Sequence, residues 1–264
     1  DAQAPDGTGR TPLHFAARWR RSVLAAFLLE EGADPNARAE ADLTPLHELA
    51  GAARLADPQS GTAMVLEDPE GEKTLAILLG RSATPDARDA TGATPLHWAV
   101  RNGTVLLVDQ LLAAGADPAI RDNAGCTPLF VALLRARRTE TDATGDADRL
   151  LVQCLLDRGA APDAPGPAGM TPLYFAACIG RMNLVELLLQ KGADPDLRTH
   201  AGLAPLDRAE AAGNAALAAQ LRAAGATDEA TGAAYLRRSG EGDAETLRGR
   251  MVEEDRLIET LLAD

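Results

Sequence analysis

The sequence contains few aromatic residues, few cysteines and no long apolar run. Phe, Trp and Tyr make up 3% of the 264 residues, so a hydrophobic core must be built mainly from Leu, Val and Ala. The three cysteines, Cys126, Cys154 and Cys178, are an odd, widely spaced set that predicts neither a disulfide framework nor a metal site. The longest apolar run, residues 23–29, is far shorter than the roughly 20 residues of a membrane-spanning helix, and we expect no membrane insertion.

Positive charge is also scarce. The chain has 26 Lys and Arg against 39 Asp and Glu, which gives a formal net charge of −13. Nucleic-acid binding requires a cationic surface that releases counterions from the phosphates, so we expect no nucleic-acid partner. A polybasic protein that binds a membrane surface is disfavoured for the same reason.

Motifs of catalysis are missing as well. The sequence contains no G-x-S-x-G, no glycine-rich phosphate loop and no H-E-x-x-H. The acidic residues within 67–72 and 142–148 do not follow the spacing of a calcium-binding loop. We therefore expect a protein that is not an enzyme and that uses no cofactor.

A four-residue motif recurs along the chain. Three intact and three degraded copies of Thr-Pro-Leu-His begin at Thr11, Thr44, Thr94, Thr127, Thr171 and Ala204. The intervals are 33, 50, 33, 44 and 33 residues. The two long intervals exceed the 33-residue period by 17 and 11, which predicts insertions at about 52–71 and 137–148. These insertions are interpreted as loops that are either simply tolerated or contribute to binding.

A second marker shares this phase. Prolines in turns similar to Gly-Ala-Asp-Pro recur at intervals of 50, 33, 44 and 33 residues, namely at Pro35, Pro85, Pro118, Pro162 and Pro195. Two independent markers in one phase indicate a structural repeat.

The third copy predicts how each repeat folds. Thr94 is a favourable N-cap, and Pro95 suits the first helical position because its missing N–H has no partner there. The helix should end at Asn102-Gly103, and a second helix should follow from about residue 104 to 114. The predicted inward residues of the two helices are Leu96, Ala99, Val100, Val105, Val108, Leu111 and Leu112. One such pair cannot bury its own apolar face, which predicts a one-dimensional array of stacked pairs.

The period and the T-P-L-H-x-A core resemble the ankyrin-repeat family. The resemblance implies an all-α ankyrin-repeat solenoid of helix-turn-helix units with projecting hairpins. Six repeats would occupy residues 1–227, and residues 228–264 would form a degenerate C-terminal capping repeat and helix. The alternative for the terminal helix is an amphipathic segment that binds a partner. The resemblance also implies that His14, His47 and His97 bridge neighbouring turns by hydrogen bonds.

The resemblance further implies a non-catalytic module that binds one or more proteins through a concave face of hairpin tips and first helices. The alternative is an inhibitor or immunity-type protein that blocks a specific partner enzyme. We expect the chain to be monomeric when free. Its location is open: cytoplasmic, or periplasmic or secreted if its first residue arises by processing. The partner-binding residues predicted at the freely varying positions are Arg10, Arg18, Trp19, Leu43, Arg101, Asn102, Met170, Cys178, Ile179, His200 and Leu203.

Overall fold

A computed structural model describes residues 1–52, 69–138, 142–228, 231–232, 234 and 244–263. Over these residues the chain is all-helical and has no β-strand. Its α-helices are α1 Pro12–Arg18, α2 Ser22–Glu30, α3 Pro45–Gly51, α4 Pro69–Gly80, α5 Pro95–Asn102, α6 Val105–Ala113, α7 Pro128–Arg138, α8 Asp142–Asp157, α9 Pro172–Cys178, α10 Met182–Gln190, α11 Pro205–Ala211, α12 Ala215–Ala223 and α13 Ala244–Ala263.

The first helix of each repeat begins at the proline of the Thr-Pro motif. In the third copy Thr94 is extended (φ −97°, ψ 167°) and Pro95 is the first helical residue, so the missing N–H of proline leaves no helical carbonyl unpaired. The helix ends at Asn102 because Gly103 adopts a left-handed conformation (φ 72°), which glycine tolerates without steric cost. Both predicted boundaries of this helix are confirmed.

The second helix of the third repeat is also confirmed, with one change in its inward face. Val108 and Leu111 are buried as expected. Val105 and Leu112 are only half-buried, and Leu107 is buried beside the first two instead. The apolar stripe of this helix is therefore rotated slightly from the predicted one.

The described residues form two compact units. The first comprises Asp1–Ala132 with Asp146–Gly159, and in it α1 packs on α3, α3 on α5, α2 on α4 and α4 on α6. The second comprises Leu133–Gly145 with Ala160–Asp264, and in it α9 packs on α10 and α11, and α11 on α12. Small buried residues allow the first helices to approach closely: Ala16, Ala17 and Ala99 in one unit, Ala176 and Ala177 in the other.

Hairpin-like turns connect successive repeats, and backbone hydrogen bonds join one turn to the next. In the first unit Glu40 N–H donates to the carbonyl of Thr8, and Ala90 N–H donates to that of Ala41, both at 2.8 Å. In the second unit His200 N–H donates to the carbonyl of Ala168 at 2.9 Å. The turns are thus linked in series by main-chain groups.

Parts of the two segments predicted as loop insertions are helical. Residues 69–71 form the first turn of α4. Arg137 and Arg138 end α7, and residues 142–148 begin α8, so most of the second insertion lengthens two helices. Residues 53–68 and 139–141 lie outside the described residues, and the expectation that they bind or are merely tolerated stays a prediction.

The C-terminal segment contains α13, as predicted. Met251 and Ile258 are buried and Leu247 is half-buried, whereas the side chain of Leu262 lies outside the described part. Most of the predicted seventh helix pair, residues 233–247, also lies outside it. No helix in the described residues is long and apolar enough to cross a membrane.

Candidate functional site

Three buried histidines connect the start of one first helix to the next repeat. The Nδ1 atom of His14 accepts a hydrogen bond from Thr11 N–H at 3.1 Å, so the proton lies on Nε2, which donates to the carbonyl of Leu43 at 3.0 Å. His47 and His97 repeat this arrangement toward the carbonyls of Ala93 and Cys126, each at 3.1 Å. The implied bridging role of these histidines is therefore confirmed in the structure.

Burial lowers the pKa of all three histidines below the ordinary value of 6.5, because the charged imidazolium is poorly solvated there. Each ring is held neutral at pH 7, and its two nitrogens are both occupied. The histidines are consequently structural groups and are not placed to act as acid–base catalysts.

Two predicted binding residues of the first unit meet on one buried carboxylate. Glu48 on α3 lies 2.6 Å from Arg10 Nε through Oε1 and 3.0 Å from Arg18 Nη1 through Oε2. The side chain of Glu48 is only 5% exposed, whereas that of Arg18 is 50% exposed. Arg10, at 25% exposure, contributes more of its surface to the fold. Arg18 therefore remains half in contact with solvent while it pairs with Glu48.

The ends of α1 and α5 carry three further predicted residues. Trp19 caps α1 and is 56% exposed, which is a large apolar surface at the edge of a first helix. Arg101 and Asn102 are exposed at the end of α5. Asn102 Nδ2 donates to the carbonyl of Ala50 at 2.8 Å and thereby also ties α5 to α3.

Two predicted surface residues are buried, and the prediction that they are exposed is wrong. Met170 and Leu203 have no exposed side-chain surface. Each immediately precedes the first helix, and its carbonyl closes the base of a hairpin by accepting from Gly166 N–H and Thr199 N–H, respectively. This position points its side chain beneath the hairpin, as the buried Cys126 of another copy also shows.

The other predicted residues are intermediate cases. Leu43 is half-buried, and its carbonyl accepts the bond from His14. Ile179, the C-cap of α9, is also half-buried, whereas His200 is exposed in a hairpin. The His200 ring lies so close to Gly169 that a Cβ on this glycine would be 2.8 Å from Nε2. His200 is therefore fixed against the preceding hairpin.

A polar cluster in the second unit surrounds Cys178. Arg208 Nε on α11 donates to the Tyr174 hydroxyl on α9 at 2.9 Å, and Arg208 Nη2 lies 2.6 Å from Asp255 Oδ1 on α13. The Tyr174 hydroxyl also donates to Glu254. Burial raises the pKa of the Cys178 thiol to about 12, despite an opposing contribution from Arg208. This cluster brings a predicted binding residue together with groups of the C-terminal helix.

Sequence reasoning missed Glu48 in the first unit and Arg208 and Tyr174 in the second. Glu48 and Arg208 stand four residues after the first motif position, where the other copies carry the apolar or aromatic residues Phe15, Trp98, Val131 and Phe175. A charge at that recurrent position was a usable signal. Tyr174 stands where other copies have the motif histidine. Its hydroxyl bonds to Glu254 of α13, and the repeat period does not specify where α13 lies.

Among the described residues no group of three or more His, Cys, Asp or Glu is placed to hold a metal ion. The thiols of Cys126 and Cys154 also have raised pKa values, about 12 and about 11, mainly because they are buried. Such thiols are protonated at neutral pH and are poor nucleophiles.

Comparison with known proteins agrees with this architecture. A family model described as ankyrin repeats in three copies matches residues 66–141, and a single ankyrin-repeat model matches residues 8–40 and 168–200. An ankyrin repeat domain from Acinetobacter baumannii has 29% sequence identity and a TM-score of 0.60, and the match covers 73% of this chain and 87% of that one.

Curated relatives are similar over a shorter stretch. Human neurogenic locus notch homolog protein 4 is 42% identical over 110 residues, which is 42% of this chain and 5% of that protein. A palmitoyltransferase of Lachancea kluyveri is 33% identical over 126 residues, covering 40% of this chain and 17% of the enzyme. The chain thus spans only a small part of these relatives. Because the family models cover more than half of the chain and the Thr-Pro helices follow their period, the chain belongs to the ankyrin-repeat family.

Proposed function

We propose that this chain is a non-catalytic module that binds a protein partner through the exposed side chains of its first helices and hairpins. The observation that carries the proposal is the exposed Trp19 at the end of α1, in the same unit as Arg18 and Arg101. Trp and Arg are the commonest anchors of protein interfaces, because they bury a large area with few rotatable bonds or form several hydrogen bonds.

The chemistry of the interior supports binding without catalysis. The buried Glu48 is neutralised by Arg10 and Arg18, and the three motif histidines are neutral and fully bonded. No described cysteine has a depressed thiol pKa. The polar groups of the first helices therefore act in the fold, and the exposed ends of those helices are available for contact.

The test is capture of the partner from the organism that encodes the chain, with two matched variants. Trp19→Ala removes an exposed apolar side chain from a first helix, and Val23→Ala removes one from a second helix, where Val23 is 82% exposed. We expect Trp19→Ala to weaken capture and Val23→Ala to leave it unchanged. Equal capture by both variants would contradict binding through the first-helix side.

The inhibitor alternative makes a separate prediction in the same material. If the captured partner is an enzyme, an equimolar amount of this chain should abolish its activity. An enzyme that stays fully active in the complex would favour a tethering role.

A further inference from the structure

Helix α13 packs on the rest of the second unit with a stripe of apolar residues that has one charged residue at its centre. Its buried residues Met251, Glu254 and Ile258 are spaced by three and four positions and so lie on one side of the helix. Leu247 and Leu261, half-buried, extend this side in both directions. The stripe is apolar except for Glu254 at its centre, so the position of the helix depends on what this carboxylate meets.

The carboxylate meets side chains of two first helices. Glu254 accepts a hydrogen bond from the Tyr174 hydroxyl of α9, and its Oε2 lies 4.0 Å from Arg208 Nη2 of α11. The neighbouring Asp255 lies 2.6 Å from the same guanidinium nitrogen. Arg208 also stands 5.5 Å over the Tyr174 ring. We call Tyr174 and Arg208 the donor pair, because together they donate hydrogen bonds to the two adjacent carboxylates of α13.

Contacts on either side of the donor pair show the direction of the helix. Arg250 Nη1 donates to the carbonyl of Ala201 in the hairpin before α11 at 2.9 Å. Further along, Glu259 lies 3.2 Å from Arg137 at the end of α7. Arg250 and Glu259 are nine positions apart, which corresponds to about 14 Å along the helix. α13 therefore crosses successive first helices of the second unit and covers the side of the repeats on which Cys178 lies.

The attachment is polar and incompletely satisfied. Glu254 is 5% exposed, and its Oε1 has no hydrogen-bond partner in the described structure. A buried carboxylate oxygen without a partner is costly, so the net stabilisation of the docked helix is less than its contacts suggest. A partner helix whose carboxylates are better satisfied by the donor pair can therefore take the place of α13.

We propose that the first-helix side of the second unit recognises an acidic amphipathic α-helix, and that α13 is the chain's own occupant of that site. The partner helix would place two adjacent carboxylates against Tyr174 and Arg208 and an apolar stripe on either side of them. This proposal rests on the proposed function, since it assigns the kind of partner segment that the second unit takes.

The experiment uses the full chain and a labelled synthetic peptide of residues 244–263 as the probe. Glu254→Lys places a cation against Arg208 and should release α13, whereas Glu253→Lys makes the same charge change at an exposed position of the same helix. The tethered helix competes at a high effective concentration. We therefore expect the peptide to bind the Glu254→Lys chain at least about tenfold more tightly than the wild-type or Glu253→Lys chain.

Cys178 supplies a second readout within the same molecule. Release of α13 should speed alkylation of Cys178, and the added peptide should slow it again, while Cys154 in the first unit reacts at an unchanged rate. A peptide carrying Glu254→Gln and Asp255→Asn should bind and protect at least about tenfold more weakly, because it cannot ion-pair with Arg208.

The proposal is overturned if the Glu254→Lys chain retains its helical content but fails to bind the peptide, or if the two lysine variants bind it equally. The proposal is also overturned if the wild-type chain is a dimer that dissociates when the peptide is added, because the site would then be occupied by a second copy of the chain. The peptide experiment can succeed or fail independently of partner capture. If the peptide binds but does not compete with a captured protein, the helix site stands and only its use by that protein is refuted.

Discussion

Asp207 accepts a hydrogen bond of 2.7 Å from Gly232 N–H. At the equivalent position of three earlier repeats, a histidine instead donates a hydrogen bond to a carbonyl of the next repeat. The same oxygen, Oδ2, also accepts from Ala204 N–H at 2.7 Å, as each histidine accepts from its own motif threonine. A carboxylate has only acceptors, so the segment that follows must present an N–H. We propose that the replacement of the motif histidine by Asp207 joins residues 231–232 to the sixth repeat and begins the predicted C-terminal cap.

Replacing Asp207 by Ala should destabilise the second unit. The substitution leaves two buried N–H groups without a partner, and we expect a loss of about 2 kcal/mol in the free energy of unfolding by urea. Asp207→Asn keeps an acceptor oxygen and should cost less. Glu210→Ala, one turn later on the surface of α11, should change stability by no more than about 0.5 kcal/mol. An equal loss in the Asp207→Ala and Glu210→Ala variants would refute the capping role.

The bridging histidines should be required for stability in the first unit. His47→Phe fills a similar volume but leaves Thr44 N–H and the Ala93 carbonyl without their partner. We expect a loss of about 2 to 3 kcal/mol, measured by chemical denaturation. Val23→Ala in the same unit is the control, because Val23 is 82% exposed and its replacement should alter stability by no more than about 0.5 kcal/mol. A stable His47→Phe variant would show that water or a shifted backbone replaces the bridge.

Stability should fall as the pH is lowered from 7 toward 5.5. The histidine pKa values are below 6.5 in the folded chain, so the unfolded chain binds protons first and is favoured below about pH 6.5. Each such histidine contributes a slope of up to about 1.4 kcal/mol per pH unit. Burial raises the pKa of the Asp207 carboxyl, so protonation of this group opposes the effect of the histidines. The free energy of unfolding, measured by denaturation at several pH values in this range, should depend less steeply on pH in His47→Phe than in the wild type. A wild-type free energy of unfolding that does not change with pH would contradict the prediction.

Binding and folding should separate between Trp19 and Met170. Trp19→Ala combined with Arg101→Ala should cost about 2 kcal/mol or more of partner affinity, measured by calorimetry, with the unfolding free energy nearly unchanged. Met170→Ala should instead cost about 2 to 5 kcal/mol of stability, because it opens a cavity under a hairpin. A Met170→Ala variant that keeps full stability but loses partner affinity would show that Met170 belongs to the binding surface.

The repeat phase predicted the first helices well because Thr-Pro fixes a helix start by local chemistry. Thr94 and Pro95 need no tertiary partner to define the beginning of α5, and Gly103 defines its end by backbone conformation alone. The insertions were less predictable. Period counting measures how many residues are added, but helix propensity determines whether they extend α7 and α8 or form a loop.

The binding surface was predicted only in part, because the direction of a side chain depends on the hairpin as well as on the repeat position. Trp19 and Arg101 at helix ends are exposed as expected, whereas Met170 and Leu203 lie beneath the turns that precede their helices. The cluster of Tyr174, Arg208 and Glu254 could not be derived from the period, since it depends on where a helix outside the repeats folds back.

Main-chain atoms supply part of the hydrogen bonding between successive hairpins. The pairs Glu40 to Thr8, Ala90 to Ala41 and, in the second unit, His200 to Ala168 are joined through backbone N–H and carbonyl groups. Turn side chains that make no bond to a neighbouring turn can therefore change in charge, size and polarity while these main-chain links are kept. The chain can acquire a new specificity by surface substitution alone, while the spacing between its recognition elements is inherited unchanged.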